Sequence, residues 1–314
     1  MSAIAPATAE PAAARTRAGF VAGFSAYALW GFLPLLFHLL DGVGSVTVVA
    51  NRTLWSLLFV GVVIVASRRL GEVRAALRDR ATLRSMFIST LLLGGNWLIY
   101  IWAVDAGQVL ESSFGYFINP LVNVAIGVLF LGERQNRWQW VAIAVAVVAI
   151  AIQAIGVGRI PFIALGLALT FGFYGFFRKT ARVNSASGLF VETLILCPLA
   201  LLWIGWTLWQ QGGPGVLAQP YYFWLLALTG PATAVPLLLF AFAVQRLRFT
   251  TAGMLQYVGP TIQFLLAILV LGESINATQW LSFGLIWVSL IIYSADSVAR
   301  RRSPARVGPA EPSP

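Results

Sequence analysis

Ten stretches of about 20 mostly apolar residues recur along this chain, and few charges interrupt them. They lie at about 19–38, 46–66, 85–104, 110–131, 138–156, 160–177, 187–208, 221–244, 250–271 and 277–297. A helix of about 20 apolar residues crosses the hydrocarbon core with its own backbone groups satisfied internally. Composition agrees only with a lipid exterior. Hydrophobic residues make up 59% of the 314 residues and charged residues 10%, where soluble domains carry roughly 25% charged residues. The fold class is therefore an all-α membrane protein with ten transmembrane helices.

The basic residues test this map. With the N-terminus in the cytoplasm, the N-terminal tail holds Arg15 and Arg17, and the loop after the second segment holds Arg68, Arg69, Arg74, Arg78, Arg80 and Arg84. Arg134 and Arg137 follow the fourth segment, Arg178, Lys179 and Arg182 the sixth, and Arg246 and Arg248 the eighth. Arg300, Arg301, Arg302 and Arg306 sit in the C-terminal tail. All of these fall on one side. Of the 21 basic residues only Arg159 falls on the other, while Arg52 lies within the second segment. Such asymmetry marks the cytoplasmic face and predicts both termini there. The net charge of +10 is thus topological, and nucleic acid is not needed as a partner.

The chain also repeats itself at an offset of 140 residues. Pro120 to Trp140 matches Pro260 to Trp280, with Leu131-Gly132-Glu133 recurring as Leu271-Gly272-Glu273. Asn136 recurs as Asn276, and Gln139-Trp140 as Gln279-Trp280. This divides the chain into a cytoplasmic tail over 1–18 expected to be disordered, five-helix repeats at 19–156 and 160–297, and a similar tail over 298–314. Five is odd, so the second repeat enters the membrane from the opposite side. Two inverted five-helix repeats can exchange conformations and so expose a central chamber to one side and then the other. That geometry suits a transporter.

Cys197 is the only cysteine and His38 the only histidine, so neither an intrachain disulfide nor a His/Cys metal site is available. No Walker-type loop is present, which favours a secondary mechanism without a cofactor. A channel or receptor is the competing class. An intramembrane enzyme would need clustered carboxylates, a histidine or a nucleophile, and the sparse acids argue against it.

Further runs narrow the reading. Gly94-Gly-Asn-Trp-Leu-Ile-Tyr100, Gly115-Tyr-Phe-Ile-Asn-Pro-Leu-Val-Asn123, Leu131-Gly-Glu-Arg134 and Gln256-Tyr-Val-Gly-Pro260 join two repeats that each end in Leu-Gly-Glu after a proline-containing segment. Over about residues 19–297 the chain resembles the EamA-type branch of the drug/metabolite transporter superfamily, and within it the RarD-type permeases. The resemblance implies a multi-pass protein of the bacterial inner membrane with ten helices and a link to chloramphenicol sensitivity. It supplies no substrate and no binding residues.

Candidate site residues come from polarity within the segments. An ionisable group there costs roughly 2.5–3.5 kcal/mol on insertion scales and usually faces a cavity or a partner. Arg52 and Glu192 are such groups, and they occupy equivalent positions at the offset of 140. Arg52 could hold a substrate anion and Glu192 a coupling proton. The alternative is a structural pair, or two side chains snorkelling to opposite interfaces. Neutral polar groups form a second set: Asn96, Trp97 and Tyr100; then Tyr116, Asn119 and Asn123 around Pro120; then Gln256, Tyr257 and Gln263 around Pro260. Each proline frees a carbonyl one turn earlier and is expected to break its helix. Two readings stay open, a central cavity for a small-molecule substrate or a kinked bundle glued by amides. The amides, phenols and indoles suit a neutral or amphipathic organic solute and offer little to a metal ion. Glu133 and Glu273, at the repeated Gly-Glu turns, read as caps or loop-orienting residues rather than as transport groups.

Overall fold

The computed structural model describes residues 12–40, 42–105, 109–157, 162–210, 212–270 and 277–302. Every regular element among them is helical. In chain order these are α1 (Ala12–His38), α2 (Ser45–Ala66), α3 (Leu70–Arg78), α4 (Arg80–Asp105), α5 (Val109–Leu129), α6 (Arg137–Val157), α7 (Phe162–Thr180), α8 (Ser185–Gln210), α9 (Pro220–Val244), α10 (Phe249–Leu255), α11 (Val258–Leu269) and α12 (Ala277–Arg302). A 3-10 turn at Gly215–Ala218 precedes α9.

Five of them are long and apolar enough on their own to cross a membrane: α1, α2, α7, α8 and α9. Their surfaces match, with Val62, Leu202 and Trp209 about 70% exposed or more. Apolar side chains gain nothing from one another that lipid tails do not also give, so close packing and buried hydrogen bonds must hold such helices together. The contact of α2 with α9 shows both. The backbone of Gly230 lies against Trp55 so closely that a Cβ there would sit 2.5 Å from the Trp55 carbonyl carbon. The Ser56 hydroxyl, one residue on, donates to the Gly230 carbonyl at 3.1 Å.

The repeat is visible in the helix boundaries. α2 and α8 begin at Ser45 and Ser185, α4 and α9 at Arg80 and Pro220, α5 and α10 at Val109 and Phe249, and α6 and α12 at Arg137 and Ala277. Each pair differs by the same 140 positions. Packing follows this correspondence. α1 packs on α9 as α7 packs on α4, α5 packs on α7 as α11 packs on α1, and α2 packs on its own mate α8.

The sequence repeats are nevertheless not the compact units. One unit draws α1–α5 and α7–α11 together from both repeats, and the other contains α6 and α12. In that smaller unit α6 packs along α12, and the Ser289 hydroxyl donates to the Ala142 carbonyl at 2.7 Å. Its α6 opens on a capping box. The Asn136 Oδ1 accepts from the Trp138 and Gln139 amides at 2.7 and 3.0 Å, and Gln139 Oε1 accepts from the Asn136 amide at 3.2 Å.

Two details differ from the sequence expectation. The ninth segment is two helices, interrupted at Gln256–Tyr257 by short-range bonds such as Gln256 N–H to the Gly253 carbonyl. Pro260 lies inside α11, and Pro120 lies inside an uninterrupted α5. Pro120 is therefore no helix break, and the break near Pro260 falls one turn earlier, at the residue whose carbonyl the proline cannot engage. The other detail is α3. This short helix in the arginine-rich loop buries Val73 and Ala76 and packs on α8.

Candidate functional site

Polar side chains from both repeats converge on a cavity of about 600 Å³ in the larger unit. That volume is typical of a small-molecule site. Arg52, from α2, is its most unusual wall residue. The guanidinium carbon lies 4.3 Å from the centre of the Trp97 ring and 5.9 Å from that of Phe37. Its Nε is buried with no hydrogen-bond partner among the described residues. Tyr100 and Tyr116 are close enough to feel its charge. No carboxylate occurs among the described lining residues.

Rings line another part of the chamber. Trp30, Phe171 and Tyr27, which line it, gather around the buried Phe240. Trp30 meets Phe171 edge-on at 5.8 Å and Tyr27 at 5.6 Å, and Phe240 lies 5.4 Å from Phe171. The amides divide between fixed and free. Asn96 donates to the Leu167 carbonyl at 2.9 Å and to Thr170 Oγ1 at 3.0 Å, bridging α4 to α7. Gln263 donates to the Trp30 carbonyl at 3.4 Å. Asn119 Oδ1 and the Tyr27 hydroxyl are buried at the cavity with no partner among the described residues. Unsatisfied buried polar atoms are rare, and three around one chamber mark a place for solute or water.

Not every predicted residue lines it. Arg52, Asn96, Trp97, Tyr100, Tyr116, Asn119, Gln256, Pro260 and Gln263 do. Asn123 stands behind the wall and donates to Gln256 Oε1 at 2.8 Å, joining α5 to the α10–α11 break. Tyr257 is fully buried and its hydroxyl donates to the Phe117 carbonyl at 3.3 Å. Pro120 does not reach the cavity either.

Glu192, read from the sequence as a path residue or half of a structural pair, is not among the described residues that line the cavity. Its carboxylate is wholly buried, accepts from the Ser89 and Tyr174 hydroxyls, and lies 3.6 Å from Arg178 Nη1. Arg178, placed in a cytoplasmic loop by the sequence reading, is wholly buried near the end of α7. Its Nη2 donates to the Ser185 carbonyl at 2.9 Å. A buried carboxylate must be paired, and Arg178, one of the basic residues in the last turn of α7 before the four-residue turn 181–184, supplies the pair. That was a usable signal. Hydropathy missed it because it assigns a charge at the end of an apolar run to water.

Residues 17–154 and 159–295 each match the EamA-like transporter family. The chain belongs to that family. It is 42% identical over 298 residues to protein RarD of Streptomyces exfoliatus, covering 94% of each chain. It is 41% identical over 290 residues to an uncharacterized transporter of Pseudomonas aeruginosa, covering 91% of this chain and 96% of the relative. Protein RarD of Escherichia coli K12 is 37% identical over 291 residues, covering 92% and 98%. A solved crystal structure shares the fold, with a TM-score of 0.69 over 90% of this chain and 99% of that one at 19% identity.

The two EamA-like matches contribute equivalent positions to the cavity. Tyr27 and Leu167, Trp97 and Leu237, Tyr116 and Gln256, and Asn119 and Gly259 are mates at the offset of 140, and all eight line it. Polarity is unequal within the pairs. The first EamA-like repeat supplies Arg52, Asn96, Asn119 and most of the ring surface; the second supplies Gln256 and Gln263. The Leu-Gly-Glu motif of the first repeat has a separate task. Gly132 adopts a left-handed φ of 64°, which costs other residues strain. Beyond that turn Glu133 accepts from the Phe249 and Thr250 amides and the Thr250 hydroxyl, with Arg248 Nε at 3.8 Å. It caps the N-terminus of α10, a helix distant in sequence that the local Gly-Glu context did not indicate. Glu273 lies outside the described residues.

Proposed function

We propose that this EamA-like protein is a secondary transporter that carries a small organic solute across the bacterial inner membrane by alternating access. In this reading ten segments cross the membrane as two inverted five-helix repeats, with both termini cytoplasmic. α10 and α11 together make one crossing, and α3 lies at the cytoplasmic surface.

The observation that carries the reading is a single chamber walled by equivalent residues of both repeats. Its wall residues on α1, α4 and α5 lie toward the 39–44 and 106–108 connections, which the arginine distribution assigns to the outside. Ties occur at the opposite ends of the helices. Lys179 donates to the Val244 and Leu247 carbonyls, joining α7 to the end of α9. Gln245 reaches the Arg178 and Val183 carbonyls at 3.3 and 3.1 Å. Glu133 holds α10 to the end of α5. A chamber placed toward the outer ends and ties at the inner ends fit one end state of a rocking cycle, and exchanging the two repeats' conformations would give the other.

A chamber of amides, phenols and indoles suits organic solutes. Proton coupling, solute exchange and simple facilitation are all compatible with it. A relative from Pseudomonas aeruginosa, 32% identical over 294 residues, is named chloramphenicol-sensitive protein RarD, so drug-like compounds belong in the test. Purified protein in proteoliposomes is loaded with a metabolite and antibiotic panel and assayed for counterflow of each labelled compound. Saturable counterflow of at least one member is expected. No exchange of any member by correctly inserted protein would overturn the proposal.

A further inference from the structure

Resting on the assignment of this cavity as the solute site, we infer that the cavity selects small organic monoanions, a carboxylate attached to an apolar or aromatic body, with the carboxylate held by the Arg52 guanidinium. Arg52 is the one arginine or lysine among the described lining residues, no carboxylate lines the cavity among them, and the buried Nε of Arg52 has no hydrogen-bond partner there. A guanidinium removed from bulk water without a counter-ion is costly. Structural arginines in apolar surroundings solve this with a partner, and Arg178 in the same chain does so with Glu192 and the Ser185 carbonyl. Arg52 is left open toward the chamber.

Its setting selects the chemistry. The guanidinium carbon lies over the Trp97 ring, 4.3 Å from its centre, and this contact stabilises the cation without a hydrogen-bond acceptor. The Nε–H has no partner among the described residues, and a guanidinium edge matches the two oxygens of a carboxylate in a bidentate pair. One fixed cation balances one negative charge. A dicarboxylate or a phosphate dianion would carry a second charge into a lining whose described residues offer no second arginine or lysine, only His38. The ring surface of Trp30, Phe171 and Tyr27 offers an apolar body its own contact area. Asn119 Oδ1 and the Tyr27 hydroxyl stay free for a polar substituent.

The test uses the purified full-length protein in nanodiscs and matched acid and amide probes: phenylacetate and phenylacetamide, 3-phenylpropionate and 3-phenylpropanamide, indole-3-acetate and indole-3-acetamide, octanoate and octanamide. Equilibrium dialysis of labelled probes measures binding without requiring transport. At least one acid is expected to bind at least about tenfold more tightly than its amide, the scale of a charge-assisted bidentate pair. Arg52→Gln should abolish the preference and Arg52→Lys should keep part of it. Lowering the pH through the probe's own carboxyl titration should weaken binding to the unmodified protein, a readout that needs no variant. The inference is overturned if acids and amides bind alike, if no acid binds, if phenyl phosphate competes better than the acids, or if the preference survives in Arg52→Gln. Carboxylate binding without counterflow would keep this inference and sink the transporter reading. Counterflow confined to neutral solutes would do the reverse.

Discussion

Gly188→Ala isolates the buried charge pair that joins α7 to α8. A Cβ at Gly188 would lie 2.0 Å from Arg178 Nη1, 2.9 Å from Cζ and 3.0 Å from Nη2. Ordinary contact begins at 3.4 Å, so Nη1 must retreat by the difference, about 1.4 Å. Arg178 and Glu192 are both 0% exposed, so neither water nor lipid headgroups can replace what the retreat disrupts. Breaking a buried pair costs about 3–5 kcal/mol. Replacing glycine by alanine in a helix interior returns only about 0.5–1 kcal/mol. The clash therefore decides the sign, and we expect a net loss of about 2–4 kcal/mol. Gly205→Ala is the internal control. It lies in the same helix with nothing within 4 Å of its would-be Cβ, so it should be neutral or mildly stabilising. Unfolding of the purified protein by SDS titration, followed by circular dichroism, compares the two. Should Gly188→Ala unfold at the same midpoint as Gly205→Ala, the pair is not a structural tie between these helices and the reasoning fails.

Other perturbations probe other links. Glu133→Ala strips the cap from α10 and should lower stability by about 1–2 kcal/mol in the same titration, because charge-assisted bonds to the Phe249 and Thr250 amides are lost. Gly230→Val forces α9 off Trp55 and should cost about 2 kcal/mol or more, read as a lowered SDS midpoint. Asp79, between α3 and α4 and outside the apolar segments, tests pH. The Thr82 hydroxyl, then the Thr82 amide, hold its carboxyl below the ordinary range. A depressed folded value means the stabilisation is present above the unfolded carboxylate range and is lost as pH falls through the folded value. Asp79→Asn should flatten that acid limb of the stability curve, and an unchanged limb would assign it to other groups.

Much of the helical layout was legible because it depends on length and polarity alone. Apolar runs of membrane length produced the expected helices, and the offset of 140 reappears in their first residues, from Ser45 and Ser185 to Arg137 and Ala277. The Asn136 and Gln139 recurrence also had a physical meaning, since these residues build the cap of α6. What hydropathy could not deliver were features set by a partner rather than by solvent. Arg178 reads as a loop charge until Glu192 is seen opposite it. The interruption at Gln256–Tyr257, one turn before Pro260, hides in a run that is apolar on both sides, and there Asn123 donates to the Gln256 side chain while the Tyr257 hydroxyl donates to the Phe117 carbonyl. Apolar residues at spacing three, Leu70, Val73 and Ala76, are the signal of α3 that the arginine-rich loop obscured. For the cavity, the polarity rule picked out Arg52 and the wall amides Asn96, Asn119, Gln256 and Gln263, while the apolar and glycine positions of the wall carried no such signal. It could not separate Gln256, which lines the chamber, from Asn123, which holds Gln256 in place.

Side-specific labelling of the chamber tests the central claim most directly. Cys197 is the only cysteine, so Cys197→Ser with Gln263→Cys places a single thiol on the chamber wall. In right-side-out and inside-out vesicles, a membrane-impermeant maleimide should reach that thiol from outside when no solute is present. During exchange of a transported solute, the inner side should gain access while outer labelling slows. Labelling from both sides at once without solute, or from the outside alone under every condition, would contradict a chamber that faces the two sides in turn.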